Sequence, residues 1–477
     1  MTIKKAALIN ASAKYSTIII NIIVISILSR ILTPEIFGIV AIINVFTTLF
    51  VLLSDFGLGT GIIQRQDLSK RDINVIFGFS IYVGIFLSII FIVLSFFIVN
   101  FYDNTVYYTI CLLLSISVFF NTVNTTPNAL LMKEQKFTVV AKRVFLVNLF
   151  SAFISITIAF TFRNFYALIF QSIATSVAAF IWNISSVKIK PIMKIDLSTI
   201  DKIKGYSGFH FAYNIINYFS RNLDNFLIGK YIGQVELGYY NQAYTLMMYP
   251  LNNLTNVITP ILHPILTKYQ DNKQYIYDKY VQIVKILFYL SIIIASVSFY
   301  STKDIILFVF GDQWESSIIP FKYLAVSLIF QMTVSSAGSI YLSLGKTRLM
   351  FISGLVYTSI IIILLLIGIS YKNIQIVSLL ISLGLIMKFF IDYYFLVKHG
   401  FQKSYLSFLK IFVKGFIILL LIILLFIIVK PISGYSHFIN LVANSVIVCC
   451  VFIFGTIITG EYKFILNLIH IKKEEKI

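Results

Sequence analysis

Charge is scarce in this chain, and acidic charge is scarcest: Asp, Glu, Lys and Arg make up 12% of 477 residues, with 19 acids against 38 bases. A soluble surface needs roughly twice that charged fraction. Cysteine is nearly absent. Cys111, Cys449 and Cys450 all lie in apolar runs, which excludes a disulfide framework and a thiolate metal site. The five histidines, His210, His263, His399, His437 and His470, share no metal-ligand spacing on one helix. No nucleophile elbow and no phosphate-binding glycine loop occurs, so an enzyme is not expected. No hydrophilic stretch is long enough to form a soluble domain.

Long apolar runs are what the chain has. Mean hydropathy is +0.92, and 59% of residues are hydrophobic. A spanning helix needs roughly 20 apolar residues. The runs predict fourteen spans, at 13–32, 36–62, 74–100, 105–131, 144–162, 166–187, 207–229, 238–262, 282–300, 319–344, 349–370, 374–397, 411–429 and 438–459. Lys4, Lys5 and Lys14 stand ahead of the apolar stretch of the first, with no small-residue cleavage site before Arg30, so it reads as a span and not a removable signal. The net charge of +19 would suggest nucleic acid in a soluble protein. Here alternate loops hold the bases, 29 in one set against 7 in the other. That bias excludes nucleic acid as the partner and predicts a multi-pass membrane protein with both termini cytoplasmic. The largest outer loop, 301–318, carries Trp314, expected at headgroup level.

A shift of 200 residues aligns Arg30 with Lys230 and Gly38 with Gly238. It divides the chain into a six-helix lobe at 1–187, a basic cytoplasmic linker at 188–206 and a second six-helix lobe at 207–397. Two added helices at 398–460 and a cytoplasmic tail at 461–477 follow. This would be a parallel repeat of the kind some transporters use.

Ionisable groups inside spans cost about 2.5–3.5 kcal/mol each on insertion scales, and so mark function or tight pairing. Arg30 ends span 1 and Asp55 lies in span 2. Arg221 and Asp224 sit three residues apart in span 7, Lys388 and Asp392 four apart in span 12. Each pair can neutralise itself along one helix face. The alternative is a hydrophilic cavity between two bundles. Asn214, Asn217, Arg221, Asp224 and Asn225 recur at helical spacing in span 7. Span 8 opens with Tyr239, Tyr240, Asn241, Gln242 and Tyr244, and span 4 ends with Asn121, Asn124, Thr125 and Thr126. Interhelical hydrogen bonding accounts for one such stripe; three with charges favour water. Amides, hydroxyls and aromatic faces suit sugars, and bases in a low-dielectric cavity attract phosphate.

Several segments together resemble a known family. They are Ser29-Arg30-Ile31-Leu32-Thr33-Pro34-Glu35-Ile36-Phe37-Gly38, Ser54-Asp55-Phe56-Gly57-Leu58-Gly59, and Ser220-Arg221-Asn222-Leu223-Asp224-Asn225 through Lys230. Leu237-Gly238-Tyr239-Tyr240-Asn241-Gln242, Gly311-Asp312-Gln313-Trp314 and Leu344-Gly345-Lys346 complete the set. The chain resembles the polysaccharide-transporter flippases, within the superfamily that includes multidrug and toxin extruders and lipid II flippases. The resemblance implies an all-α integral membrane fold of about 14 transmembrane helices, with two six-helix lobes around a central cavity and two C-terminal helices. It implies translocation of undecaprenyl-diphosphate-linked oligosaccharide between leaflets of the bacterial cytoplasmic (inner) membrane by alternating access. It places Arg30, Arg221 and Lys230 as basic cavity groups, beside Asp224, Asn214, Asn217, Asn225 and Asn241. Asp55, Lys388 and Asp392 are the candidates for coupling or gating. No cofactor is expected beyond a proton or sodium gradient. The expected partners are the lipid-linked oligosaccharide, membrane lipids, and the polymerase or glycosyltransferases of the same pathway. Two other readings stand beside this one. Another transporter of the superfamily, a lipid II flippase or a drug extruder, is the nearer; polar, base-containing spans argue against a drug extruder. A membrane-embedded polymerase or ligase is the more distant, and it would need a large catalytic outer loop.

Overall fold

A computed structural model describes residues 3–55, 58–65, 67–194, 196, 198–199, 208–267, 269, 272–464 and 466–467. These residues are almost wholly helical. Eleven helices among them are long and apolar enough to cross a membrane. The chain forms two compact units, Met1–Gly238 and Tyr239–Ile477.

The first unit contains α1 (Ile3–Ile31), α2 (Pro34–Asp55), α3 (Leu58–Gln64), α4 (Lys70–Tyr102), α5 (Val106–Lys133), α6 (Phe137–Phe162), α7 (Tyr166–Ser186) and α8 (Gly208–Tyr231). The span expected at 36–62 is therefore two helices. The start of α6 at Phe137 draws Lys142 and Arg143, expected in a loop, into a helix. Helix α4 packs on α5, α5 on α7, α6 on α7 and on α1, and α2 on α5 and α8.

The second unit takes in most of α9 (Gln234–Thr267). It continues with α10 (Lys273–Tyr300), α11 (Thr302–Phe310), α12 (Ile318–Val334), α13 (Ala337–Ser343), α14 (Thr347–Ser370), α15 (Ile374–Tyr393), α16 (Tyr405–Leu409), α17 (Val413–Val429) and α18 (His437–Ile458). A π-helical segment, Tyr394–Gly400, extends α15. Helix α10 packs on α12, α12 on α15, and α14 on α15. The pattern of the first unit, α4 on α5, α5 on α7, α6 on α7, thus recurs here. The 301–318 segment is α11 followed by a 3-10 turn, not an open loop. Trp314 is buried there, edge-on to Tyr239 with ring centroids 5.9 Å apart and 5.7 Å from Phe310. It packs as core.

The apolar exterior is what a bilayer requires. Phe86, Val93 and Phe97 on α4 are exposed, as are Leu420, Ile427 and Ile428 on α17. Three buried hydroxyls turn back onto their own helices: Ser80 donates to the Phe77 carbonyl, Ser291 to Phe288 and Ser327 to Leu324, each at 2.7 Å. A short polar side chain returning to the preceding turn avoids an orphaned donor in an apolar interior.

Two local devices fix the first unit. A capping box starts α4: Ser69 Oγ accepts from the Asp72 N–H at 3.1 Å, and an Asp72 carboxylate oxygen accepts from the Ser69 N–H at 2.9 Å. The first part of the segment expected as a basic linker is fastened to α4. The Ile192 N–H donates to the Asn74 carbonyl at 3.0 Å, and Tyr82 Oη donates to the Met193 carbonyl at 3.1 Å. Residues 195, 197 and 200–206 of that segment lie outside the described residues.

Glu461, just beyond α18, ties the last helices to the second unit. It accepts from Lys285 Nζ at 2.8 Å and pairs with Lys414 Nζ at 3.0 Å. Burial raises its carboxyl pKa, but the hydrogen bonds from the two lysines outweigh burial and hold it below the usual range. Glu461→Gln is expected to lower thermal stability in detergent by about 1.5–3 kcal/mol, the scale of a hydrogen bond to a charged group. A depressed carboxylate stabilises above its unfolded-state pKa and loses that contribution as pH falls through its folded value. The gap between wild type and Glu461→Gln should therefore be full at neutral pH and close in acid.

Candidate functional site

The charged groups expected inside spans take up distinct arrangements. Arg30, in the last turn of α1, is exposed; its Nη1 donates to the Ser26 carbonyl at 3.1 Å and to Ser26 Oγ. The serine one turn earlier holds the guanidinium along the helix. Asp55 is the last residue of α2, and its side chain lies outside the described residues. So do the side chains of Asn214 and Asn217 on α8.

Helix α8 lies against α2 and α4. Tyr218 Oη donates to the Val45 carbonyl of α2. Phe226 stacks on Phe101 at 5.0 Å, and its carbonyl accepts from Tyr102 Oη at 3.1 Å. Asp224 and Asn225 are buried, and an Asp224 oxygen accepts from the Asn225 N–H at 2.8 Å. Arg221 is exposed, and among the described residues no ion pair joins it to Asp224. The pairing that their spacing allows is not formed. Lys230 is committed elsewhere, to Asp103 at 3.1 Å and to the face of Phe101 at 5.2 Å. This pair ties the end of α8 to the end of α4.

In the second unit, Asn241 is half-buried near the start of α9, beside buried Tyr240, which stacks on Tyr244 at 5.8 Å. Lys388 and Asp392 do pair, at 2.6 Å along α15, and Lys388 Nζ also lies 4.9 Å from the Tyr357 ring centre. Asp392 is buried. This is the self-neutralised pair that an i,i+4 spacing permits.

The amide stripe of α5 turns inward. Asn121 Nδ2 donates to Ser117 Oγ at 3.3 Å, and Asn124 Oδ1 accepts from Asn183 Nδ2 of α7 at 2.8 Å. Arg143 of α6 joins this cluster, donating from Nη1 to Asn128 Oδ1 at 2.7 Å and to Asn183 Oδ1 at 2.8 Å. Hydrogen bonding within α5 thus engages Asn121, and bonding to α7 engages Asn124. Sequence reasoning missed Arg143 because three lysines share its neighbourhood and together read as one basic loop. The available signal was its place immediately before an uninterrupted apolar run.

The helix order and the paired packing define a class. The chain resembles lipid II flippase MurJ in an inward closed conformation, with a TM-score of 0.75 at 15% identity over 95% of this chain and 99% of that one. It resembles an inward-facing multidrug resistance MATE family transporter at TM-score 0.62 and 14% identity, over 83% of this chain and 95% of that one. The fold is theirs, that of an all-α, multi-pass membrane protein. Residues 27–319, more than half of the chain, match the family described as Polysaccharide biosynthesis protein, and the chain belongs to that family. Teichuronic acid biosynthesis protein TuaB of Bacillus subtilis (strain 168) is 25% identical over 304 residues, 63% of this chain and 62% of TuaB. The chain therefore spans less than two thirds of TuaB. Lipopolysaccharide biosynthesis protein WzxC of Escherichia coli (strain K12) is 22% identical over 407 residues, covering 83% of this chain and 82% of WzxC.

Proposed function

We propose that this protein is a flippase. It moves undecaprenyl-diphosphate-linked oligosaccharide from the inner to the outer leaflet of the bacterial cytoplasmic membrane, for surface polysaccharide synthesis. One observation carries the reading: in a member of a polysaccharide biosynthesis family, Arg221 sits exposed halfway along an amide-rich helix without an ion pair among the described residues. A charge placed at that depth must be offset by a partner. A guanidinium fits a phosphate as a two-pronged donor. Arg30 supplies the second base, Lys230 tunes the field from its pair with Asp103, and Asp224, Asn214, Asn217, Asn225 and Asn241 provide acceptors and donors for sugar hydroxyls. Two six-helix lobes, with fourteen spans and both termini cytoplasmic, alternate access to the cavity. A proton or sodium gradient drives them, with Asp55 and the Lys388–Asp392 pair as the coupling or gating groups. No cofactor and no covalent chemistry are required.

Deletion of the gene is the test. The lipid-linked repeat unit should accumulate in the inner leaflet while glycosyltransferase activity in isolated membranes stays normal. Failure to synthesise that lipid would instead assign the protein to an enzymatic step.

A further inference from the structure

We infer that Arg143 forms a binding site for a lipid phosphate within the first unit, separate from the residues assigned above. Arg143 lies in the second turn of α6, next to exposed Lys142. A base so close to a helix end ordinarily snorkels to water. Arg143 turns inward instead. Both protons of Nη1 are taken by amide oxygens, Asn128 of α5 at 2.7 Å and Asn183 of α7 at 2.8 Å. Asn183 is fully buried and is itself held by Asn124 at 2.8 Å. Three helices thus lock the guanidinium in place by one corner.

The opposite edge is unused. Among the described residues Nε and Nη2 have no partner, and no carboxylate pairs with Arg143. The second unit treats its cation differently: Lys388 carries its own carboxylate, Asp392, at 2.6 Å. Amide oxygens orient a guanidinium without cancelling its charge. The half-buried site therefore keeps a full positive charge and a free pair of parallel N–H donors, the geometry that a phosphate group meets in two hydrogen bonds. Two sources share this chemistry: the headgroup of an anionic phospholipid and the diphosphate of a polyprenyl carrier. The inference does not depend on the flippase reading, because binding is measured without transport.

Full-length protein in detergent would be titrated, by native mass spectrometry, with phosphatidylglycerol in one arm and undecaprenyl diphosphate in the other. The informative variant is Asn183→Asp, which gives Arg143 a carboxylate in place of an amide. With the Asn124 amide turned to donate where it now accepts, the variant should stay folded with a melting temperature near wild type, and weaken binding at least tenfold in one arm; that arm identifies the source. Arg143→Gln should lose the same binding, and Arg143→Lys should recover only part of it, since an ammonium lacks the fork. A purely structural role predicts that Asn183→Asp is harmless in both arms. Wild-type affinity of that variant for both lipids would overturn the inference.

Discussion

Arg221→Ala and Arg30→Ala should each abolish surface glycan while leaving the protein at near-normal abundance in the membrane. Arg221 is exposed on α8, so its truncation leaves no cavity in the packing. Nor does it strand a partner, because Asp224 is engaged by the Asn225 N–H and not by Arg221. The loss should therefore fall on binding and not on folding. A charge-assisted contact that phosphate desolvates on binding is worth several kilocalories, enough for a fall of 100-fold or more at about 1.4 kcal/mol per decade. Arg221→Lys keeps the charge without the fork and should restore export only in part. Asp224→Asn should be milder than either alanine change, because Arg221 retains its charge and its exposure. Arg30 differs in one respect: Ser26 orients it. Ser26→Ala should consequently weaken export less than Arg30→Ala while acting in the same direction. Export and membrane abundance measured side by side check all five.

The second large effect is expected at Gly38, and it should take the opposite form, with loss of the protein itself. A Cβ on Gly38 would fall onto the carbonyl oxygen of Gln234, and one on Gly238 onto that of Pro34. The first turns of α2 and α9 therefore cross backbone against backbone. The contact is reciprocal under the 200-residue shift: 34 meets 238 and 38 meets 234. No rotamer change relieves a clash between Cβ and a main-chain oxygen, so a helix must move. Overpacking costs about 1–3 kcal/mol where side chains can adjust, and more where they cannot. Gly38→Val should deplete the protein from the membrane and lower the melting temperature of what remains. Gly354→Ala is the control. Nothing lies within 4 Å of a Cβ there, and alanine favours a helix interior by about 1 kcal/mol.

These two positions also show what could be read from sequence. The apolar runs yielded the helices because a bilayer forces long, unbroken hydrophobic segments. Gly38 and Gly238 stood out at the 200-residue offset, and both lie where the first turns of α2 and α9 approach backbone to backbone. Charge was harder to read. Spacing correctly paired Lys388 with Asp392, but the same logic paired Arg221 with Asp224, which the fold separates into an exposed and a buried residue. Helical periodicity tells which residues share a face, not which rotamers they adopt. The burial of Trp314 was hidden for a related reason. An aromatic in a loop suits the interface, whereas α11 and the following 3-10 turn fold that loop over Tyr239. Arg143 was hidden because helix α6 begins seven residues before the apolar run does. Polar side chains can extend a helix past the hydrophobic boundary, and hydropathy alone does not detect them.

The central claim is transbilayer movement of a diphosphate-linked glycan, with Arg221 as the phosphate ligand. The most direct measurement reconstitutes the full chain in vesicles that carry undecaprenyl-diphosphate-linked oligosaccharide on one leaflet, and follows its exposure to a membrane-impermeant glycosidase on the other. Wild-type protein should make the glycan accessible under an imposed proton or sodium gradient, and Arg221→Ala protein at the same density should not. Equal exposure with both proteins, or none with either, would contradict the account.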